Sequence, residues 1–335
     1  MKEHITSYSG LKETRRPQNE TIQPPPVTRK VTLVVEYGYH APFETSVLKN
    51  LATVLKRLDC FLSPSSVALT LVHAEVDWLS AEESLTDGAG FSAGETLPQL
   101  ETGLKQANKQ VRQELSESGF QIVQETECGY RDKSLKRFTE TLWESEQDLL
   151  VIASASDKME RSRISHFASQ LATHSPVSVL ILRSPVSTLQ PLAPKIIFGV
   201  DGSEASMNAA RKLGQILDSR DCQLELAIVQ SPVYQENAVL APYVNQAVLD
   251  EALEVNAKMV FEMVTDILDT QGIQVSKCQK LSGSPATELG NLAALAHPDL
   301  LVVGSHNRKG VLAWLMGSVS SQLLQWDTHN LLIVR

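Results

Sequence analysis

Short runs of aliphatic and β-branched residues alternate along the chain with stretches whose apolar positions recur every three to four residues. From the amino end, Lys30-Val-Thr-Leu-Val-Val-Glu reads as a strand and residues 46–58 as a helix. A strand at 67–72, a polar loop through 78–97, a helix near 100–118 and a strand at 120–124 follow. A helix near 133–145, the strand Leu149-Leu-Val-Ile-Ala, a helix near 164–173 and a strand at 177–182 complete the block. Strands covered on both faces carry near-continuous apolar runs, so this order predicts a parallel sheet with helices on either side.

The pattern then restarts. Lys195-Ile-Ile-Phe-Gly-Val-Asp repeats the first strand and sets Asp201 opposite Glu36. A helix at 204–217 and a strand at 224–229 come next. The helix predicted over about 244–270 carries Val248, Ala252, Val255, Met259, Met263 and Ile267 at helical spacing and ends at Gly272. A strand at 273–275 precedes Gly283-Ser-Pro-Ala, where Ser284 suits a helix cap with Pro285 in the first turn. A strand at 300–303, a glycine-bearing loop, a helix from Gly317 and a strand at 331–334 close the second unit. Residues 184–194 (SPVSTLQPLAP) read as a linker, and residues 1–28, with RRPQNE and QPPP, as a flexible arm. The expectation is an α/β protein of two tandem Rossmann-like domains, residues 29–183 and 195–335, each with five parallel strands and helices on both faces.

Composition narrows the function. The 335 residues are 42% hydrophobic and 21% charged, as in an ordinary globular protein, and the net charge is −9. Residues 1–30 hold six Lys/Arg against three Asp/Glu, which leaves the body at −12. Such a body is a poor general binder of nucleic acid or anionic membrane, so neither is expected as a partner. No apolar run reaches the ~18–20 residues of a membrane span. The start, MKEHITSYSG, lacks the apolar core of a signal peptide, so the chain reads as cytoplasmic. Cys60, Cys128, Cys222 and Cys278 are scattered without a C-x-x-C pair, which favours buried small residues over zinc or a disulfide.

In an open parallel sheet, ligands bind beyond the carboxyl ends of the strands. Two segments of the second unit fall there: Gly199-Val-Asp-Gly-Ser, and Gly304-Ser-His-Asn-Arg-Lys-Gly310 followed by Gly317-Ser-Val-Ser. Glycines let backbone amides converge on an anion, a helix start at Gly317-Ser318 aims free N–H groups at the same place, and Ser318 and Ser320 add hydroxyls. Together they describe a polyphosphate cradle. The glycine loop Gly88-Ala-Gly-Phe-Ser-Ala-Gly94 has dinucleotide-like spacing one residue too long and no strand before it, so it reads as a plain loop. No Walker A, H-E-x-x-H or G-x-S-x-G sequence is present.

Gly304-Ser-His-Asn-Arg-Lys-Gly…Gly317-Ser318, Val-Asp-Gly-Ser-Glu-Ala-Ser after the first strand, and Gly-Ser-Pro-Ala before the third helix together resemble the universal stress protein family. The set spans residues 195–335; residues 30–183 share the layout without the signatures. The resemblance implies a tandem universal stress protein with ATP, or another adenine nucleotide, in the second copy. By that analogy Asp201 contacts ribose or a bridging Mg²⁺, with no other metal. Val200 and Val229 hold adenine, and Gly304, Gly317, Ser318, Val319 and Ser320 hold phosphates. Asn307 stands where the signature has its second glycine; asparagine tolerates the left-handed turn but adds bulk. The resemblance also implies domain pairing through the last strands, with a homodimer as a further form. The first copy, with Glu36-Tyr-Gly-Tyr at its first strand end and Ala153-Ser-Ala-Ser-Asp-Lys-Met-Glu in its loop, is expected to bind no nucleotide. The expected role is regulatory rather than enzymatic, because no general base or activated nucleophile accompanies the cradle. A nucleotide-free assembly scaffold, with an unnamed protein partner, is the competing reading.

Overall fold

The computed structural model describes residues 6–7, 29–37, 51–75, 97–129, 140, 147–154, 166–183, 193–217, 222–230, 246–305, 316–326 and 329–335. The elements run β1 (Thr6–Ser7), β2 (Arg29–Glu36), α1 (Leu51–Arg57), α2 (Asp59–Leu62), β3 (Val67–Glu75), α3 (Leu97–Glu117), β4 (Gln121–Gly129), β5 (Leu149–Ser154), α4 (His166–His174) and β6 (Ser178–Leu182). They continue as β7 (Lys195–Val200), α5 (Glu204–Ile216), β8 (Gln223–Gln230), α6 (Gln246–Asp269), β9 (Val275–Ser282), α7 (Pro285–Ala296), β10 (Leu300–Gly304), α8 (Ser318–Leu324) and β11 (Leu331–Val334). The α/β class expected from the sequence is the one observed. The helix expected at 133–145, the loop at 78–97 and the Gly88–Gly94 segment lie outside the described residues, Glu140, in a helix, and Leu97 apart.

The eleven strands among the described residues join one sheet, in the order β1-β9-β8-β7-β10-β11-β6-β5-β2-β3-β4. Each half has five parallel strands with its first strand in the middle. The halves meet where β11 runs antiparallel to β6, pairing Leu331 with Ile181, Leu332 with Leu180 and Ile333 with Val179. One face of the sheet packs against α1, α2, α3, α5 and α6 through residues such as Leu55, Phe61, Val111, Leu213 and Val264. The other packs against α4, α7 and α8 through Phe167, Leu171, Leu289 and Leu323. Each middle strand has a lysine at or next to its start whose amide donates to an aspartate carboxylate, Lys30 to Asp148 and Lys195 to Asp299, both at 2.8 Å. Asp148-Leu-Leu-Val-Ile-Ala-Ser and Asp299-Leu-Leu-Val-Val-Gly-Ser are therefore structural repeats.

Arginines cross the seam in both directions. After β6, Arg183 donates its amide to Asn330 Oδ1 at 2.9 Å and its Nη2 to Leu324 O at 2.6 Å, at the end of α8. After β11, Arg335 donates its amide to Ser178 Oγ at 3.2 Å and its Nη2 to Ala172 O and Thr173 O, at the end of α4. Helix carboxyl ends expose unpaired carbonyls and a negative dipole end, which a guanidinium satisfies. Arg57 adds a bidentate pair with Asp299, at 3.2 and 3.1 Å, and Arg29 donates to both Phe61 O and Ile216 O.

Three local expectations need correction. Thr6–Ser7, within the segment read as a flexible arm, pairs antiparallel with Lys280 and Gln279 of β9. An open sheet edge takes up any extended backbone, whatever its side chains, so composition does not reveal it. The strand placed at 273–275 begins at Val275 and runs to Ser282. Its residues, VSKCQKLS, are polar because it lies near the sheet edge. Finally, α6 packs through Ala257, Val260, Phe261, Val264 and Leu268, while Val248, Val255, Met259 and Met263 of the stripe noted in the sequence are exposed. The helix carries two apolar stripes, and its fit over β8 and β9 selects the second. Ser284 occupies the cap position of α7, as expected, but makes no side-chain capping bond. Among the described residues no helix is long and apolar enough to cross a membrane.

Two measurements test this packing. Leu268→Ala should lower unfolding free energy by roughly 2–5 kcal/mol, whereas Met259→Ala should cost under about 0.5 kcal/mol, both read by denaturant titration. His329, 2% exposed, is held down to about 4 by burial and by nearby Arg183. The unfolded chain takes up a proton that folded His329 refuses, so this group's stability is complete above its ordinary 6.5 and is lost as pH falls towards 4. The stability lost between those pH values should be smaller in His329→Gln, by up to roughly 3 kcal/mol over the whole range.

Candidate functional site

Where β7, β8 and β10 end side by side, the chain leaves a hollow of about 180 Å³. Its floor is Gly199, Val200 and Asp201 of the first strand end, Ala227 and Val229 of β8, and Val303 and Gly304 of β10. Its walls are the first turns of three helices: Ser203, Ala205 and Ser206 of α5, Pro285 and Leu289 of α7, and Gly317 to Ser320 of α8.

Close backbone approach explains the glycines. A Cβ on Gly304 would sit 3.1 Å from Ala205 O and 3.2 Å from Ala209 Cβ, so the missing carbon lets α5 lie this close to β10. A Cβ on Gly199 would meet Leu289 Cδ1 at 2.8 Å. Gly202 turns the chain at φ 78°, and a Cβ there would meet Val260 Cγ2 at 2.6 Å. The turn it makes is closed by hydrogen bonds. Ser203 N donates to Asp201 Oδ1 at 2.9 Å, Asp201 N to Ser206 Oγ at 3.4 Å, and Ser206 N to the capping Ser203 Oγ at 3.2 Å. Asp201 is exposed, and its Oδ2 takes no part in these bonds.

At the opposite wall Gly317 caps α8 without a side chain. The amides of Ser318, Val319 and Ser320 have no intrahelical acceptor and carry the positive end of the peptide dipoles. Ser318 is exposed, whereas Ser320 is buried and spends its hydroxyl proton on Gly317 O at 3.0 Å. Ser320 therefore offers a lone pair and an amide rather than the hydroxyl donor expected from the sequence. Asp201 is the one charged side chain among the described lining residues.

Of the residues singled out in the sequence, Val200, Asp201, Val229, Gly304, Gly317, Ser318, Val319 and Ser320 converge on this hollow. Asn307, with His306, Arg308 and Lys309, lies outside the described residues. Sequence reasoning missed Ser203 and Ser206, although their spacing after Asp201 is the signal of a capped helix, and Ala227 and Leu289, which carry no local signal. The related position in the first half is built differently. Tyr37, which follows Glu36 as Gly202 follows Asp201, is buried with its hydroxyl 2.9 Å from His73 Nδ1, and His73 Nε2 lies 2.9 Å from Glu125 Oε1. Burial and the Glu125 charge raise the tyrosine well above its ordinary range. Of the cysteines, Cys278 is buried with its thiol pushed up to about 11 by that burial, which leaves it protonated and unreactive.

Residues 193–335 match the Universal stress protein family. The universal stress protein MJ0531 of Methanocaldococcus jannaschii is 24% identical over 161 residues, 46% of this chain and 89% of that protein. The crystal structure of a universal stress protein from Archaeoglobus fulgidus covers 91% of this chain and 98% of its own, with a TM-score of 0.53 and 11% identity, and so shares the two-domain layout. A universal stress protein solved in complex with cAMP aligns with 43% of this chain and 98% of its own, at 24% identity and a TM-score of 0.31.

Gly202→Ala tests the turn that presents Asp201. Strain at positive φ and the Val260 contact together should cost about 1–3 kcal/mol of stability, measured by denaturant unfolding.

Proposed function

With a carboxyl-terminal half that is a universal stress protein domain, we propose that the chain binds one adenine nucleotide, ATP with Mg²⁺, in the hollow of that half and acts as a stress-response regulatory protein. The observation that carries this reading is the convergence of the sequence-chosen residues on one cavity made of glycines, three helix starts and a carboxylate. The donor set suits the ligand. Peptide N–H groups at Ser318, Val319 and Ser320 can donate to polyphosphate oxygens without side-chain cations. The apolar pair Val200 and Val229 offers a surface for a purine ring. Asp201, through Oδ2, suits a ribose hydroxyl or a phosphate-bound cation, which would offset its own charge.

A regulatory role fits better than catalysis. Asp201 is the single titratable side chain among the described lining residues, and the Ser203 amide already holds its Oδ1. A nucleotide bound here therefore acts by stabilising one arrangement of α5, α7 and α8 around it. In the first half the residue after Glu36 is the buried Tyr37, hydrogen-bonded to the buried His73, in place of a glycine turn, which supports a single site per chain. The proposed setting is the cytoplasm.

Thermal unfolding and calorimetry with ATP–Mg²⁺, ADP and cAMP test the reading. At about a hundredfold excess over Kd, ATP should add about 2.7 kcal/mol of stability with one site per chain, and Asp201→Ala should weaken binding about tenfold. An unchanged Tm with every nucleotide would favour the nucleotide-free scaffold; a response to cAMP alone would replace ATP as the ligand.

A further inference from the structure

We propose that α6 is the surface through which two copies of this chain pair, antiparallel and about a two-fold axis. Four of the six large apolar side chains exposed among the described residues lie on this one helix: Val248 at 61%, Val255 at 61%, Met259 at 49% and Met263 at 40%. Single exposed apolar residues need no explanation, but a contiguous row marks an interaction site. The row spans sixteen residues, about 22 Å of helix. It is distinct from the stripe that fixes α6 to the sheet, so covering it costs the fold nothing.

The spacing of the row identifies its occupant. Val248, Ala252, Val255 and Met259 alternate in steps of four, three and four, the seam of a two-helix coiled coil. In antiparallel register Ala252 faces Val255 of the second copy and Val248 faces its Met259, so small residues meet larger ones in each layer. The same register sets Glu251 against Lys258 of the second copy, twice across the axis. Within one helix these two are seven residues apart, too far to pair with each other; Lys258 instead lies 4.0 Å from Glu262. A foreign helix would have no reason to match a charge pattern that is complementary to itself. In each layer the stems of Glu251 and Lys258 flank the apolar row and add to the area that the pairing covers. The row does not include Val260, through which α6 touches Gly202 beside the hollow, so this pairing does not rest on nucleotide binding.

Sedimentation velocity on the full chain tests the proposal, with circular dichroism as the control for folding. The wild type should form a concentration-dependent dimer below about 100 μM, and Val255→Glu with Met259→Glu should weaken it at least about tenfold with an unchanged spectrum. Glu251→Lys and Lys258→Glu should each weaken it about tenfold, and the double exchange should restore it, because only a partner in antiparallel register re-forms the pair. A wild type that stays monomeric, a dimer indifferent to the double glutamate variant, or a double exchange that fails to rescue would each overturn it.

Discussion

The antiparallel contact between β6 and β11 is the constraint on which the rest of this molecule depends. Each half ends in a short strand of wholly buried residues, and neither last strand has a parallel neighbour on its outer side within its own half. Left open, that edge would expose backbone donors and acceptors beside a hydrophobic face. Pairing the two last strands satisfies both edges at once and turns two half-sheets into one. The arginines that follow them extend the exchange to the helices, so each half closes the carboxyl end of a helix that belongs to the other.

That seam connects with the candidate site through α8. Its first turn, Gly317 to Ser320, forms a wall of the hollow, and its last turn is held by Arg183 from the other half. A seven-residue helix is too short to be stable alone, so its position is set by the burial of Leu323 and Leu324 and by the Arg183 bond at its end. The first half thereby has a structural reason to persist beside the second. Its own first strand ends against the buried Tyr37, whose hydroxyl bonds His73, and His73 in turn reaches the partly exposed Glu125 of β4, so the buried tyrosine and histidine are both satisfied.

The match to the universal stress protein family and the hollow come from different observations and agree. The family match covers residues 193–335, and the hollow is built from residues in that range alone. Its architecture follows from a simple rule: three strands that end together present three helix starts, and glycine at the strand ends lets the helices come near enough to enclose a space.

Local order was legible in the sequence because it rests on short-range physics. Alternating strand and helix periods, the repeat of Lys30 by Lys195, and the Asp201, Gly304 and Gly317 signatures gave the α/β class and nearly all of the site's strand and helix ends. What lay beyond reach were choices between physically similar alternatives. Two apolar stripes on α6 both carry helical periodicity, and only its packing in the assembled fold decides which is buried. Pairing of Thr6–Ser7 with β9 uses backbone groups that every residue shares. Ser320 needed the turn at Gly317 before its proton had an acceptor. Arg183 and Arg335 show no sign in the chain that each serves the opposite half, since that depends on two strands more than 140 residues apart becoming neighbours. Pattern fixes what a segment prefers to be; proximity, which only the assembled sheet supplies, fixes what it touches.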